Sequence, residues 1–354
     1  MTSISLFSGM GGDSLGMKMA NMDVVSFNEM DKYSIESHKI NFPNCTLIED
    51  NNKTNIIDIS NEIFMKYEGN IDLIFAGHPC QGFSNGGKKL PDDPRNTLFR
   101  EFLRVTTIIK PKYIIGENVD GLLTRKTSNG EKYMDIIIRE FEKQNYKIYY
   151  KVCHCVKYNI PQLRKRLIYV GIRNDLNETY SFPSEINIPQ NLKHIIQFNM
   201  EGALKISKLD FDMTTIPEEC ILTNMNDEQH EDENAHPYLK LKCKTRNNLY
   251  NGKSFDSLLS FSKRDSPIHA EIIDIRNPCK TIICSYDHQP RLFVPQKNKN
   301  GYFLRCLLPN ELKQIQGFPE DYIICGNKKQ QIKQIGNAAP PILIQKIVEQ
   351  LKLK

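Results

Sequence analysis

The feature that most constrains this chain is a rhythm. From residue 3 to residue 173, short β-branched and aromatic runs alternate with stretches whose apolar residues recur at helical spacing. SISLF, DVVSFN, IDLIFAG, KYIIGENV, YKIYYKVCHCV and RLIYVGIR read as strands. DSLGMKMA, SIESHKIN, RNTLFREFLRVTTIIK and KYMDIIIREFEKQN read as helices. Strands separated by helices of this length predict an α/β fold: a Rossmann-like, mostly parallel, doubly wound sheet. The rhythm stops near residue 180 and returns in the amphipathic tail PPILIQKIVEQLKLK. Residues 1–180, completed by 326–354, are therefore expected to form one domain. Residues 181–325 should form a smaller, loop-rich one, with β-like runs in CKTIICSY and RLFVP and a solvated acidic loop at 226–234.

Composition narrows the function class. Hydrophobic residues make up 40% of 354, enough for a large core without disulfide staples. The ten cysteines have no framework spacing, which points to reduced thiols in a reducing compartment. No apolar run approaches about 18 residues and no basic-then-apolar leader opens the chain. An intracellular, soluble protein is expected, without a membrane partner: cytoplasmic in a bacterium, in the host's compartment for a virus. A net charge of +5 suits a polyanionic partner without requiring one.

LFSGMGG sets Gly9, Gly11 and Gly12 between the first strand and the first helix, where they permit a tight turn and close approach of backbone to a ligand. The second strand ends in Glu29, seventeen residues after Gly12, where a carboxylate suits two ribose hydroxyls. Ser14 replaces the third glycine of G-x-G-x-x-G, which argues against a dinucleotide. S-adenosylmethionine, with a ribose and adenine but no pyrophosphate, fits better; the bland alternative is a turn without a ligand.

Cys80 follows Pro79 at the end of the third clear strand, on the edge where doubly wound sheets hold their sites. A free thiol there is either small buried filler or a nucleophile that needs a base or a lowered pKa. The loop after it, GFSNGGKKLPDDPRN, carries Lys88, Lys89 and Arg95, which could meet phosphate as it closes. GENVDG ends the next strand with Glu117 and Asn118. A carboxyl there donates to a ring nitrogen when protonated, or simply caps or ion-pairs. In NIPQLRKRLIYVG, strand alternation would put Gln162, Arg164 and Arg166 on one face. Such a polar face is costly in a core unless it binds something, and ordinary on a solvated edge.

Together these stretches resemble the bacterial-type cytosine-5 DNA methyltransferases. FSGMGG is similar to their cofactor glycine motif and FNEMDKYSIESHKINF to their second motif. GHPCQGFS resembles the nucleophile motif, ENV the acid motif and QLRKR the Q-x-R-x-R motif; RCLLPNELKQIQGFPEDY and QIGNAAPP resemble the ninth and tenth. The seven matches run in the family's order from residue 4 to the C-terminal helix. Two departures stand beside the chemistry: His78, where the family has an aromatic residue or proline, and Ala339, where it has valine. The family's variable target-recognition region falls where the β/α rhythm is lost.

The resemblance implies methyl transfer from S-adenosylmethionine, leaving S-adenosylhomocysteine, to C5 of a cytosine flipped out of a specific duplex DNA sequence. It implies attack by Cys80 on C6, Glu117 at N3 and the exocyclic amine, Arg166 at O2, and Arg164 supporting the nucleophile's side of the pocket. The cofactor residues carried over are Phe7, Gly9, Gly11, Gly12, Glu29, Asp50, Pro79, Leu98, Asn337 and Ala338. DNA contacts are expected from Gln81, Ser84, Lys88, Lys89, Arg95 and Thr281. No metal is expected: Cys153-His154-Cys155 is a lone cluster, and alternation turns His154 away from both thiols. A monomer is expected, and a cognate restriction endonuclease is left open. The nearest rival is a tRNA cytosine-5 methyltransferase, whose short Cys-Phe-Thr signature is not found here. A non-enzymatic DNA-binding relative would lose residues this chain keeps. A nicotinamide oxidoreductase lacks its third glycine, and a thiol hydrolase leaves the glycine turn and the arginines unexplained.

Overall fold

The computed structural model describes residues 1–79, 98–244, 248–250, 253–255, 257–263 and 268–352. Cys80, Gln81, Ser84, Lys88, Lys89 and Arg95 lie outside the described residues.

Seven strands form the main sheet: β1 (Thr2–Leu6), β2 (Asp23–Asn28), β3 (Thr46–Leu47), β4 (Leu73–Ala76), β5 (Tyr113–Asn118), β6 (Tyr146–His154) and β7 (Lys165–Arg173), in the order β3-β2-β1-β4-β5-β7-β6. The first five pair in parallel, joined through α1 (Gly12–Met19), α2 (Lys32–Asn41), α3 (Asn61–Met65) and α4 (Phe99–Ile109). After β5 comes α5 (Tyr133–Lys143), and then β7 runs antiparallel to both neighbours. The reversal has a local cause. Residues 155–164 join β6 to β7, too few for a parallel crossover, which needs about a dozen or more. Six of the seven strands are legible in the sequence; β3, with two residues, is too short to show alternation.

β4 and β5 are buried along their whole length, as strands covered on both faces must be. Alternate residues feed two cores. Leu73, Phe75, Ile115 and Ile168 face one, with Met17 of α1; Ile74, Ile114 and Leu167 face the other, with Phe102 of α4 and Phe141 of α5. In α4 the buried Phe99, Phe102, Leu103, Thr106 and Ile109 fall on one stripe, and the helix stops at left-handed Lys110 before Pro111.

A second sheet follows. It comprises β8 (Leu204–Lys205), β9 (Leu222–Thr223), β12 (Leu259–Phe261), β13 (Ala270–Ile272), β14 (Leu292–Asn298) and β15 (Gly301–Cys306). Its order is β12-β13-β14-β15-β8, with β9 on β14. A separate pair, β10 (Asn248–Tyr250) and β11 (Lys253–Phe255), and α6 (Pro237–Lys244) complete this region. RLFVP lies within β14, but CKTIICSY is not a strand. Its only ladder-like link is a bridge from Cys279 to Gln162, and the Ile282 amide is taken instead by the Gln162 side chain. The chain then returns through α7 (Pro309–Ile315), α8 (Lys328–Asn337) and α9 (Pro341–Val348). Leu312, Ile315, Phe318, Leu343 and Ile347 pack into the core that holds Met10 and Met17. Among the described residues no helix is long and apolar enough to cross a membrane.

Candidate active site

Because β1, β2, β4 and β5 are parallel, their carboxyl ends at Leu6, Asn28, Ala76 and Asn118 share one edge. The strand order reverses between β1 and β4, which is where doubly wound sheets open a crevice for ligand. The glycine turn fills one side of it. Phe7, Gly9 and Gly11 all take positive φ (55°, 54° and 92°), and Gly11 closes the turn by donating to the Ser8 carbonyl. Glu29 is aimed at the turn by three amides: Gly9 donates to one carboxylate oxygen at 2.8 Å, and Met30 and Asp31 to the other at 2.7 and 2.8 Å. Asp31 caps α2 and pairs with Lys333 of α8 at 2.8 Å.

The three glycines divide by function. A Cβ on Gly9 would meet nothing within 4 Å, so that side of the turn is open. A Cβ on Gly11 would come within 2.9 Å of His38, Phe42 and the Tyr322 hydroxyl. One on Gly12 would run into the Ala339 carbonyl oxygen and come within 2.9 Å of Phe318. The sequence suggested that all three let backbone approach a ligand. Gly12 lets the C-terminal segment approach the turn, and Gly11 makes room for His38 and Phe42 at the end of α2 and for Tyr322.

Across the crevice, Glu117 of β5 and Arg166 of β7 form an ion pair, Nε to carboxylate oxygen, at 2.5 Å. Antiparallel pairing sets Asn118 opposite Leu167, so Arg166, one residue further out, reaches back to Glu117. The expected common face of Gln162, Arg164 and Arg166 does not form, because β7 begins only at Lys165. Gln162 and Arg164 instead turn inward, where backbone carbonyls and amide side chains satisfy them. The Gln162 amide nitrogen donates to Gln316 at 2.7 Å, and Gln316 donates to the Ala338 carbonyl at 2.6 Å. Arg164, 1% exposed, donates to the carbonyls of Ile282, Gly336 and Ala338 at 3.0, 3.1 and 3.2 Å. It ties the second-sheet region and the closing segment to the first domain.

The family model of the C-5 cytosine-specific DNA methylases matches residues 1–353. The chain belongs to the C-5 cytosine-specific DNA methylase family. Among curated relatives it is similar to type II methyltransferase M.PspPI of Psychrobacter sp., 32% identical over 351 residues, covering 95% of this chain and 75% of that one. It is also similar to type II methyltransferase M1.HphI of Haemophilus parahaemolyticus, 29% identical over 354 residues, covering 99% and 86%. Two solved structures share the fold. One is Spodoptera frugiperda DNMT2 (TM-score 0.65, 18% identity, 97% of each chain). The other is described as a DNA modification methyltransferase encoded within a prophage of E. coli (TM-score 0.64, 23% identity, 99% and 98%). The fold is that of the class I methyltransferases, the protein is a DNA cytosine-5 methyltransferase, and the family implies S-adenosylmethionine as donor and DNA as substrate.

The remaining residues expected at the site from the sequence are placed as follows. Pro79 and Leu98 are half-buried at the two ends of the undescribed 80–97 segment, Pro79 just beyond β4 and Leu98 at the start of α4. Asn337 is exposed at the end of α8, and Ala338 beside it is buried. Thr281 is exposed, and its hydroxyl donates to the Leu163 carbonyl at 3.0 Å. Asp50 lies past β3 on the same edge. One oxygen accepts the Ser60 amide at 3.0 Å and the other the Asn51 side chain at 2.9 Å, and the Ser60 bonds hold its carboxyl below the usual range. Cys153 and Cys155 face the core, where burial pushes both thiols up to about 11, while His154 is exposed.

Two buried groups carry no role in the motif reading. Asp13, the second residue of α1, bonds the Ser5 hydroxyl, and burial pushes its carboxyl up to about 7. His78, 3% exposed, lies between Tyr169 and Asn118, and burial pulls its imidazole down to about 4. A polar residue at the end of the otherwise apolar IDLIFAG run was the available signal for His78; nothing local marked Asp13 as buried.

Proposed function

We propose that this methyltransferase acts on C5 of a cytosine rotated out of duplex DNA, with Cys80 bonding transiently to C6. The observation that carries the reading is the Glu117–Arg166 pair on the edge where the chain leaves β4 for Pro79 and residue 80. Both side chains are only 12–13% exposed, so each charge is held by the other where water is scarce. A pyrimidine laid across that pair meets the Glu117 carboxyl group at N3 and the exocyclic amine and a guanidinium at O2. As the Cys80 sulfur adds to C6, charge pushed towards N3 and O2 is met by fixed groups, and C5 becomes an enamine carbon. Once C5 carries the methyl group, loss of its proton expels the thiolate and restores the ring. Arg164 acts from behind, holding the walls of the pocket in register.

The residues present fit the donor. Gly9 leaves open space beside a carboxylate, Glu29, that three amides hold at the strand ends. When bound, S-adenosylmethionine supplies a methyl group on a sulfonium, open to attack by a carbon nucleophile. Phe7, Gly9, Pro79 and Leu98 would border the methionine end, Glu29 the ribose and Asp50 the adenine. Gly12 would serve by admitting the backbone at Ala339, next to the Asn337–Ala338 segment that closes the site, and Gly11 by leaving room for His38, Phe42 and Tyr322. Residues 181–325 would read the sequence, with Gln81, Ser84, Lys88, Lys89, Arg95 and Thr281 on the DNA. The enzyme would work as a monomer, without metal.

The test supplies duplex DNA and labelled S-adenosylmethionine and maps modified positions by bisulfite sequencing. Label at cytosine C5 in a short fixed sequence, absent with Cys80→Ala, is expected. Label on tRNA alone, or undiminished label with Cys80→Ala, overturns the reading.

A further inference from the structure

Three strands of the main sheet meet in a small polar cluster just before the proposed nucleophile in the chain. His78 is the second residue past β4 and two before Cys80. Its Nδ1 lies 3.1 Å from the Asn118 amide nitrogen, and its Nε2 lies 3.0 Å from the Tyr169 hydroxyl of β7. The Asn118 amide is fixed the right way round, because its oxygen accepts the Val119 amide at 2.9 Å. Its nitrogen therefore donates at 3.2 Å to the His78 carbonyl, and it lies against the imidazole, 3.1 Å from Nδ1 and 3.5 Å from Nε2. Room for the Tyr169 ring exists only because residue 116 is glycine; a Cβ there would run into the ring itself.

These contacts link the two halves of the reaction's geometry. Asn118 adjoins Glu117, the carboxylate that would hold the base. His78 adjoins Pro79, which leads to the sulfur that would attack it. Tyr169 is on the strand that carries Arg166. A backbone bond alone, Asn118 to the His78 carbonyl, would leave the imidazole free to turn. The Tyr169 hydroxyl at Nε2 and the Asn118 amide packed against the ring remove that freedom.

We propose that His78 is a positioning residue for the methyl transfer: through Asn118 and Tyr169 it holds the chain entering Cys80 in register with Glu117 and Arg166. The proposal rests on the reading of Cys80 as nucleophile. It predicts that the cluster matters to the rate of covalent attack and little to either ligand's affinity, because all three of its side chains are buried. Small losses of alignment at a reacting centre are expensive: displacement by about 1 Å can cost about a hundredfold.

The test uses the full-length protein and the duplex sequence located by bisulfite mapping, with 5-fluorocytosine at the target so that the enzyme is trapped on DNA. Trapping rates are compared for wild type, His78→Phe, Tyr169→Phe and the double variant, with S-adenosylhomocysteine binding and duplex binding measured alongside. Tyr169→Phe keeps the ring, so it probes the hydrogen bond with the packing preserved. The expected result is trapping slowed about tenfold or more by each single change, both affinities within about twofold of wild type, and a double variant no slower than the slower single. Wild-type rates in both singles overturn the proposal alone. So do losses that multiply in the double variant, or a loss of ligand affinity that matches the loss of rate. Failure of wild type to be trapped overturns the reading of Cys80, and this proposal with it.

Discussion

Gly9 and Gly12 stand three residues apart in one turn, and the structure assigns them opposite sensitivities. In Gly12→Ala the new methyl group runs into the Ala339 carbonyl oxygen and reaches 2.9 Å from the Phe318 ring. Restoring ordinary van der Waals separation takes a shift of about 1 Å in the 338–340 segment. That segment is not free to move, since the Ala338 carbonyl accepts from Arg164 at 3.2 Å and Gln316 at 2.6 Å. Overpacking alone costs about 1–3 kcal/mol, and weakening one or two of those bonds adds about 1 kcal/mol each. A total of about 3 kcal/mol lowers the melting temperature by roughly 4 °C in a chain of this size. Gly9→Ala meets no atom within 4 Å and suffers only its left-handed backbone, φ 54°, about 1 kcal/mol. Its methyl group, however, stands in the space proposed for the donor. Thermal melting with and without saturating S-adenosylhomocysteine separates the two. Gly12→Ala should melt several degrees low before ligand is added. Gly9→Ala should melt close to wild type and lose most of the ligand-induced rise, which measures affinity directly. A Gly12→Ala protein as stable as wild type, or a Gly9→Ala protein with the full ligand shift, would refute the division.

Three further outcomes are expected. Arg164→Met should destabilise the protein by about 3–5 kcal/mol in urea denaturation, because it strips the charged donor from three buried carbonyls, and a loss under about 1 kcal/mol would contradict the clamp. Glu117→Gln should lower methylation about a hundredfold or more while S-adenosylhomocysteine binding holds, and activity within tenfold of wild type would remove Glu117 from the chemistry. Asp13 is raised from 3.8 to about 7 on folding, so its contribution is fully present below pH 3.8 and is lost as pH rises through about 7. The melting temperature of Asp13→Asn minus that of wild type should therefore grow between pH 5 and pH 8, and a pH-independent difference would count against the buried carboxyl.

The sequence alone determined the parts whose physics is local. Alternation and helical spacing set out six of seven strands and the main helices, because a side chain's face follows from its position in its own element. Seven motif stretches in order carried the family and, with it, the residues expected to do the chemistry. Tertiary structure decided what depends on partners far along the chain. Gly12 answers to Ala339, Arg164 to Ile282 and Ala338, and His78 to Tyr169, separations of 327, 118, 174 and 91 residues that no window of sequence spans. The QLRKR stretch shows the limit most plainly. Read by itself it is a polar strand face; in the fold, β7 starts too late, and two of its polar side chains are satisfied by side-chain and backbone groups more than 100 residues further along the chain. A buried polar group goes where its hydrogen bonds can be completed, and only the assembled core determines where that is.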